Sequence, residues 1–264
     1  MGILNVTPDS FSDGGRYRSP ARAVEQARRM RDAGAAIIDI GGESTRPGAQ
    51  PVTVQEEIDR VVPVIESLAG ELDIPVSVDT SKPEVMTAAV RAGAGMINDV
   101  NALRAPGALA AAAAAAVPVC LMHMQGEPRT MQADPQYGDV LADIMEYLAG
   151  RIAACEGAGI ARNRLLIDPG FGFGKRLEHN LRLLAGLAEM ATLGAPVLVG
   201  ISRKSMLGEL TGQTVERRLA GSLAAAVLAA ERGADILRVH DVAETVDALR
   251  VVQAVIAARR SADL

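Results

Sequence analysis

Eight short apolar runs in this chain each lead to a polar side chain able to do chemistry. In chain order these are Asn5; Asp39, with Thr45 and Arg46 in the loop after it; Asp79; Asn98 with Asp99; His123; Asp168; Ser202 with Lys204; and Arg238 with His240. They sort into two chemical groups. Asp79, Asn98, Asp168 and Lys204 supply acceptors and donors suited to a flat heterocycle bearing amide and amino groups, because a carboxylate accepts two parallel N–H bonds from a guanidine-like edge. Asn5, Thr45, Arg46, Arg238 and His240 suit an anion, best a phosphate, and the amide oxygen of Asn5 can hold a divalent metal. Each residue alone also has a plain structural role, since strand-end Asp and Asn cap turns and a lone His is usually structural. Their joint placement is what points to a site, because a buried charge needs a partner and this set holds both signs.

The densest stretch is Leu165–Lys175, LLIDPGFGFGK. A buried apolar strand ends on Asp168, is stopped by Pro169, and opens into three glycines alternating with two phenylalanines. That places one charge at the floor of a pocket with flat apolar walls. Two familiar glycine motifs do not fit. A dinucleotide fingerprint counted from Gly170 and Gly172 needs a third glycine where Lys175 stands, and a P-loop needs Ser or Thr where Arg176 stands.

Strand-type runs alternate with helical stretches from end to end. The strand expectations are Gly2–Val6, Ala36–Ile40, Pro75–Val78, Met96–Val100, Val117–His123, Leu165–Ile167, Val197–Ile201 and Asp235–His240. Between them, Ser19 and Pro20 open a helix that runs to Gly34, and Thr53 with Glu56 spells a capping box. Ser81 with Glu84 spells a second one around Pro83. Pro106 opens an alanine-rich helix, another runs over Asp139–Gly157, a break near Gly212 divides the region after the seventh strand, and a last helix covers Val242–Arg259. Eight such units with no linker or change in composition predict a single domain over residues 1–264, a closed parallel (β/α)8 barrel. A doubly wound open sheet is the alternative. It would gather the chemistry at one switch point, whereas here chemistry recurs at every strand end. The glycine-rich loops Thr7–Gly15 and Gly41–Gly48 are candidates for lids over substrate, or plain surface loops.

Composition narrows the function. A net charge of −5 without any lysine–arginine run argues against a nucleic-acid partner. Two cysteines, Cys120 and Cys155, make no disulfide framework, and no signal-peptide pattern follows Met1, so a cytoplasmic setting is expected. The longest apolar tract, Ala108–Met122, is mostly alanine and is broken by Pro118, so no membrane span is expected. Neither cysteine stands in a nucleophile motif. The Leu219–Ala230 helix is small and apolar on most faces, as either an oligomer contact or core burial requires.

The long motifs carry a resemblance. ILNVTPDSFSDGG at 3–15, IDIGGESTRPG at 38–48, SVDTSKP at 77–83, IND at 97–99, LMHM at 121–124, DPGFGFGK at 168–175, SRKS at 202–205 and RVH at 238–240 are similar to the signatures of the dihydropteroate synthase family. The resemblance covers nearly the whole chain. It implies condensation of 6-hydroxymethyl-7,8-dihydropterin diphosphate with p-aminobenzoate, giving 7,8-dihydropteroate and diphosphate. By the same resemblance Asp79, Asn98, Asp168 and Lys204 hold the pterin, with Met122 packed on it. Asn5, Arg238 and His240 take the diphosphate and Mg2+, joined by Thr45 and Arg46. Phe173, Ser202, Pro47 and Phe11 line the aminobenzoate site. Arg238, His240, Lys204 and Arg46 are the catalytic set that this implies. A homodimer and competition by sulfonamides are further implications. One departure is that the signature starts directly after Met1, so a barrel lacking the family's N-terminal hairpin is expected, with consequences for stability more than chemistry. The rival enzyme is a pterin-binding methyltransferase barrel, which has little use for the TPDSFSDGG and ESTRPG loops or for Arg238 and His240. A non-catalytic binding paralogue would have lost motif residues, and none is missing.

Overall fold

A computed structural model describes residues 1–7, 19–44, 50–128 and 130–262. Strands β1 (Gly2–Asn5), β2 (Ile38–Gly41), β3 (Val76–Asp79), β4 (Met96–Asp99), β5 (Val119–Met122) and β6 (Leu165–Asp168) lie side by side in sequence order, every pair parallel. β7 (Leu198–Val199) and β8 (Ile236–Leu237) form a parallel pair. Single bridges join the two sheets at both seams, Ile167 to Val197 and Gly2 to Val239. Backbone bonds carry those seams, from Ile167 N to Pro196 O at 2.9 Å, Ile3 N to Val239 O at 3.0 Å and Val239 N to Met1 O at 2.9 Å. The eight strands therefore close into a ring, as the barrel expectation requires, and no open edge remains for a doubly wound sheet.

Helices follow each strand: α1 (Ser19–Asp32), α2 (Val54–Ala69), α3 (Pro83–Arg91), α4 (Ala108–Ala115), α5 (Val140–Gly157), α6 (Leu177–Ala185), α7 (Ser205–Thr211), α8 (Leu219–Glu231) and α9 (Val242–Ala262). The Thr53–Glu56 capping box of α2 forms as expected. The second box does not. Ser81 donates its hydroxyl to Asp99 instead, and α3 starts at Pro83, whose nitrogen has no hydrogen to satisfy. β7 and β8 are shorter than their apolar runs. At their starts the side chain of Asp235 accepts the Val197 N–H at 2.7 Å and so takes the place of a ladder bond.

Strand alternation decides which residues face the barrel interior. Ile38, Ile40, Val76, Val78, Ile97, Val119, Leu121, Leu165 and Ile167 face outward into the large core shared with the helices. Their neighbours face inward. Near the strand N-termini these are Met96, Cys120, Leu166 and Leu198, with Met1, Ile37 and Ile236 against them, which fills the floor with apolar atoms. Higher up the inward residues become Asp39, Asp79, Asn98, Met122 and Asp168. Asp99, one step from Asn98, faces the other way. It is fully buried as a turn cap, accepting from Ser81, from Asn101 N and from Leu103 N, and so is structural.

The β6–α6 turn packs too closely for any side chain at Gly170. A Cβ there would lie 1.9 Å from the His123 carbonyl oxygen, and φ is +71°. Gly170→Ala is expected to destabilise the protein by about 2–4 kcal/mol in urea unfolding, from the left-handed backbone and the overlap together.

Candidate active site

The centre of the barrel mouth is an ion-pair network. Arg238 donates its Nε to Asp39 Oδ2 at 2.6 Å and an Nη to Asp79 Oδ2 at 2.7 Å. Asn98 Nδ2 donates to the same Asp39 oxygen at 3.0 Å. Asp39 is completely buried, and its other oxygen, like the Ser77 hydroxyl beside it in register, has no hydrogen-bond partner among the described residues. Burial pulls the Arg238 pKa down, but the carboxylates of Asp39 and Asp79 more than reverse this, so the guanidinium stays charged. Burial pushes Asp79 up to about 7, with Arg238 opposing and Asp39 reinforcing the rise.

Asp168 and Lys204 stand on the opposite side of the mouth. Asp168 Oδ1 accepts the Gly170 N–H at 2.7 Å, and burial raises its pKa against the pull of Lys204. Lys204 is brought down to about 8 by burial, with Asp168 countering. Its ammonium donates to the Phe171 carbonyl and lies 4.5 Å from the centre of the Phe173 ring. Met122 is buried between these groups and shares an apolar patch with Met124, Met131, Val100 and Phe173. A flat ligand here meets acid edges, an amide and a lysine on its rim, and sulfur and aromatic carbon on its faces.

On the anion side, Ser202 Oγ accepts the His240 backbone N–H at 3.2 Å and lies 3.0 Å from His240 Nδ1. With the hydroxyl donating to Nδ1, the imidazole carries its proton on Nε2, which makes that atom a donor. Asn5 ends β1, its Oδ1 lying close above Gly41. Asn5 and His240 share a groove of about 530 Å³ with Arg22, Arg29 and Arg203. A second cleft of about 540 Å³ opens on the other side of Asp79, toward Glu43, Arg104 and Met124.

The sequence-based grouping is thus partly redrawn. Asp79, Asn98, Asp168, Lys204, Met122 and Phe173 do converge. Arg238, grouped with the anion residues, is tied instead to two carboxylates, one of them Asp79 of the heterocycle group. Ser202, grouped with the aminobenzoate residues by resemblance, is bonded to His240. Thr45, Arg46, Pro47 and Phe11 lie outside the described residues, as do most of the first candidate lid loop and half of the second. Two contributors stand outside both chemical groups of the sequence reading. Asp39 is in the strand-end set without a role, although a carboxylate between Ile38 and Ile40 in a fully buried strand signals a paired charge. Lys175 has no role beyond its place in the DPGFGFGK motif. It is buried beside His123, whose pKa burial lowers to about 3 with Lys175 adding to the effect.

Residues 1–240 match the model of the pterin binding enzyme family. The chain is 58% identical to the dihydropteroate synthase of Escherichia coli K12 over 261 residues, which is 99% of this chain and 93% of that one. The chain belongs to the dihydropteroate synthase family. Among solved members, the Yersinia pestis enzyme in a sulfonamide drug complex is 56% identical, with a TM-score of 0.93 over 97% of this chain and 94% of that one. The Xanthomonas albilineans enzyme with 4-aminobenzoic acid is 60% identical, with a TM-score of 0.93 over 97% of this chain and 92% of that one. The family's barrel is therefore also this chain's barrel.

Two outcomes follow from the ion-pair network. Arg238→Ala strands a buried carboxylate at Asp39 and is expected to cost about 3–5 kcal/mol in urea unfolding, since removing one partner leaves the other charge uncompensated. Asp79 binds its proton more tightly folded, at about 7, than its ordinary value of 3.8. Its contribution to stability is thus largest at low pH, falls as pH rises between those values, and levels off above. Asp79→Asn is expected to gain on the unaltered protein across that window by up to about 1.4 kcal/mol per pH unit in thermal or urea unfolding.

Proposed function

We propose that this chain condenses 6-hydroxymethyl-7,8-dihydropterin diphosphate with p-aminobenzoate to give 7,8-dihydropteroate and diphosphate. The observation that carries the reading is one barrel mouth in which an acid–amide–lysine set meets a cation held for an anion. Asp168 accepts paired N–H groups from the amino-amide edge of the pterin, with Asp79 and Asn98 on the far edge, Lys204 on its oxygen and Met122 on its face. Arg238 has five N–H groups, of which the two carboxylates take two, so the rest serve the diphosphate while Asp39 keeps the guanidinium in place. His240 adds its Nε2–H there, oriented by Ser202, and Thr45 and Arg46 come in on the second loop. Phe173, with Pro47 and Phe11, walls the aminobenzoate.

The carbon–oxygen bond to the diphosphate breaks with its electron pair leaving on oxygen, and the electron-rich pterin delocalises the positive charge left on the methylene carbon. Donors already fixed where that negative charge grows lower the barrier without reorganising. The aniline nitrogen then attacks the carbon and loses one proton. No step needs an enzyme nucleophile, and both cysteines are buried.

Mg2+ fits the donor chemistry. Asn5 offers a hard amide oxygen on the anion side, and Mg2+ commonly takes one or two protein oxygens with the rest from substrate phosphates. Among the described residues no cluster of three or more His, Cys, Asp or Glu could hold an ion unaided, in keeping with a metal that arrives with the diphosphate. When bound, it neutralises part of the leaving group's charge. The ring closure of the barrel supports a single domain over residues 1–264. Exposed Leu210, Val215, Leu219 and Leu228 around α7 and α8 support a homodimer. No described helix is long and apolar enough to cross a membrane, and with the cysteine content this supports a cytoplasmic place of work.

The deciding assay mixes the protein with Mg2+ and both substrates and follows dihydropteroate and diphosphate together. Equal release of the two, competed by sulfamethoxazole against p-aminobenzoate, is the expected result. Pterin binding without either product would overturn the reading.

A further inference from the structure

The loop from Gly170 to Gly174 is held by its carbonyls. Gly170 O and Phe173 O accept from Lys175 Nζ at 2.8 and 3.0 Å, Phe171 O from Lys204, Gly172 O from Gln132 and Gly174 O from the Tyr137 hydroxyl at 2.7 Å. All three glycines of the loop have positive φ. Lys175 alone grips two of the carbonyls, and its third contact is His123 Nδ1 at 3.0 Å. It is 3% exposed, and none of its three partners is a carboxylate. Taking a cation out of water is costly, and an apolar side chain would fill the same space without that cost. What the ammonium contributes is therefore geometric.

The two carbonyls it grips are not equally secure. At the Gly170 end the backbone is fixed a second time by the bond from its N–H to Asp168 and by the His123 carbonyl packed against its α-carbon. At the Phe173 end the backbone N–H donates to Gly170 O at 3.1 Å, while Phe173 O itself has Lys175 as its side-chain donor. The Phe173 ring in turn lies over the Lys204 ammonium, at the border between the heterocycle edge and the apolar patch.

The geometry points to Lys175, backed by His123, as a positioning residue that sets the Phe173 wall and thereby governs aminobenzoate capture, with little effect on the pterin. This inference rests on the proposed condensation reaction. Its consequence is asymmetric: loss of Lys175 takes the side-chain donor from the Phe173 carbonyl, while Asp168 still holds the Gly170 end beneath the pterin.

Steady-state kinetics on the full chain test it. Lys175→Met is expected to raise the KM for p-aminobenzoate about tenfold or more, since small misplacements of a positioning group carry large kinetic effects. The KM for the pterin diphosphate should stay within about threefold, the sign that uniform pterin binding is kept. Sulfamethoxazole inhibition should weaken in parallel with aminobenzoate. His123→Leu should shift the same way, and His123→Asn, which keeps an acceptor for the ammonium, should recover most of the loss. If Lys175→Met does not fold, the His123 pair decides the matter. Equal rises in both KM values, no rise in either, or equal behaviour of the Leu and Asn variants would overturn the inference. An unaltered protein that makes no dihydropteroate would reject the proposed function instead, which keeps the two failures apart.

Discussion

One guanidinium shared between two carboxylates holds the mouth of this barrel together. Arg238 comes from the last strand, Asp39 from the second and Asp79 from the third, and Asn98 on the fourth strand joins through Asp39. Buried acids at strand ends repel one another, and the cation among them opposes the rise in pKa that burial and this repulsion give Asp79. With it, the acids stay close enough to address one small ligand. The pairing also spans one of the two seams of the barrel. β8 meets β1 through a single bridge, so a side-chain bond from Arg238 to β2 and β3 ties the last strand across that join.

The same network orders the chemistry. Asp39 receives both Arg238 and Asn98, so one buried carboxylate holds a guanidinium and a side-chain amide at once. A change in charge beside Arg238 is thereby felt at Asn98 through hydrogen bonds two links long. The three bonds among Arg238, Asp39, Asp79 and Asn98 fix these groups relative to one another, while Asp39 Oδ1 and the Ser77 hydroxyl stand outside that set.

Much of this was legible in sequence because barrels put their chemistry at strand ends, where an apolar run stops on a polar residue. Asn5, Asp79, Asn98 and Asp168 were visible for that reason. Period-two alternation separates Asn98 from Asp99 once the register is known, and sequence alone had left them together. The pairing pattern was not legible. Asp39 and Arg238 are 199 positions apart, and nothing local tells a cation which of several acids it will choose. Ser81 shows the same limit at short range. It has a capping-box spacing, yet its hydroxyl donates to a buried carboxylate on the next strand and accepts no orphan N–H from a helix whose first residue is proline. The short seventh and eighth strands were hidden because apolar content reports burial, while Asp235 decides where the ladder starts.

The carbonyl-held loop after Asp168 has a consequence for how such a protein can vary. Its path is specified by donors addressed to backbone oxygens and by glycines that admit no side chain, so the path does not depend on which side chain stands at position 173. That position is half-buried, whereas Phe171 next to it is sealed in the core. Variation at 173 can therefore reshape one wall of the mouth while the frame beneath it, and the acid that the frame supports, stay put. A fold built this way separates the part that can change under selection from the part that cannot, within five consecutive residues.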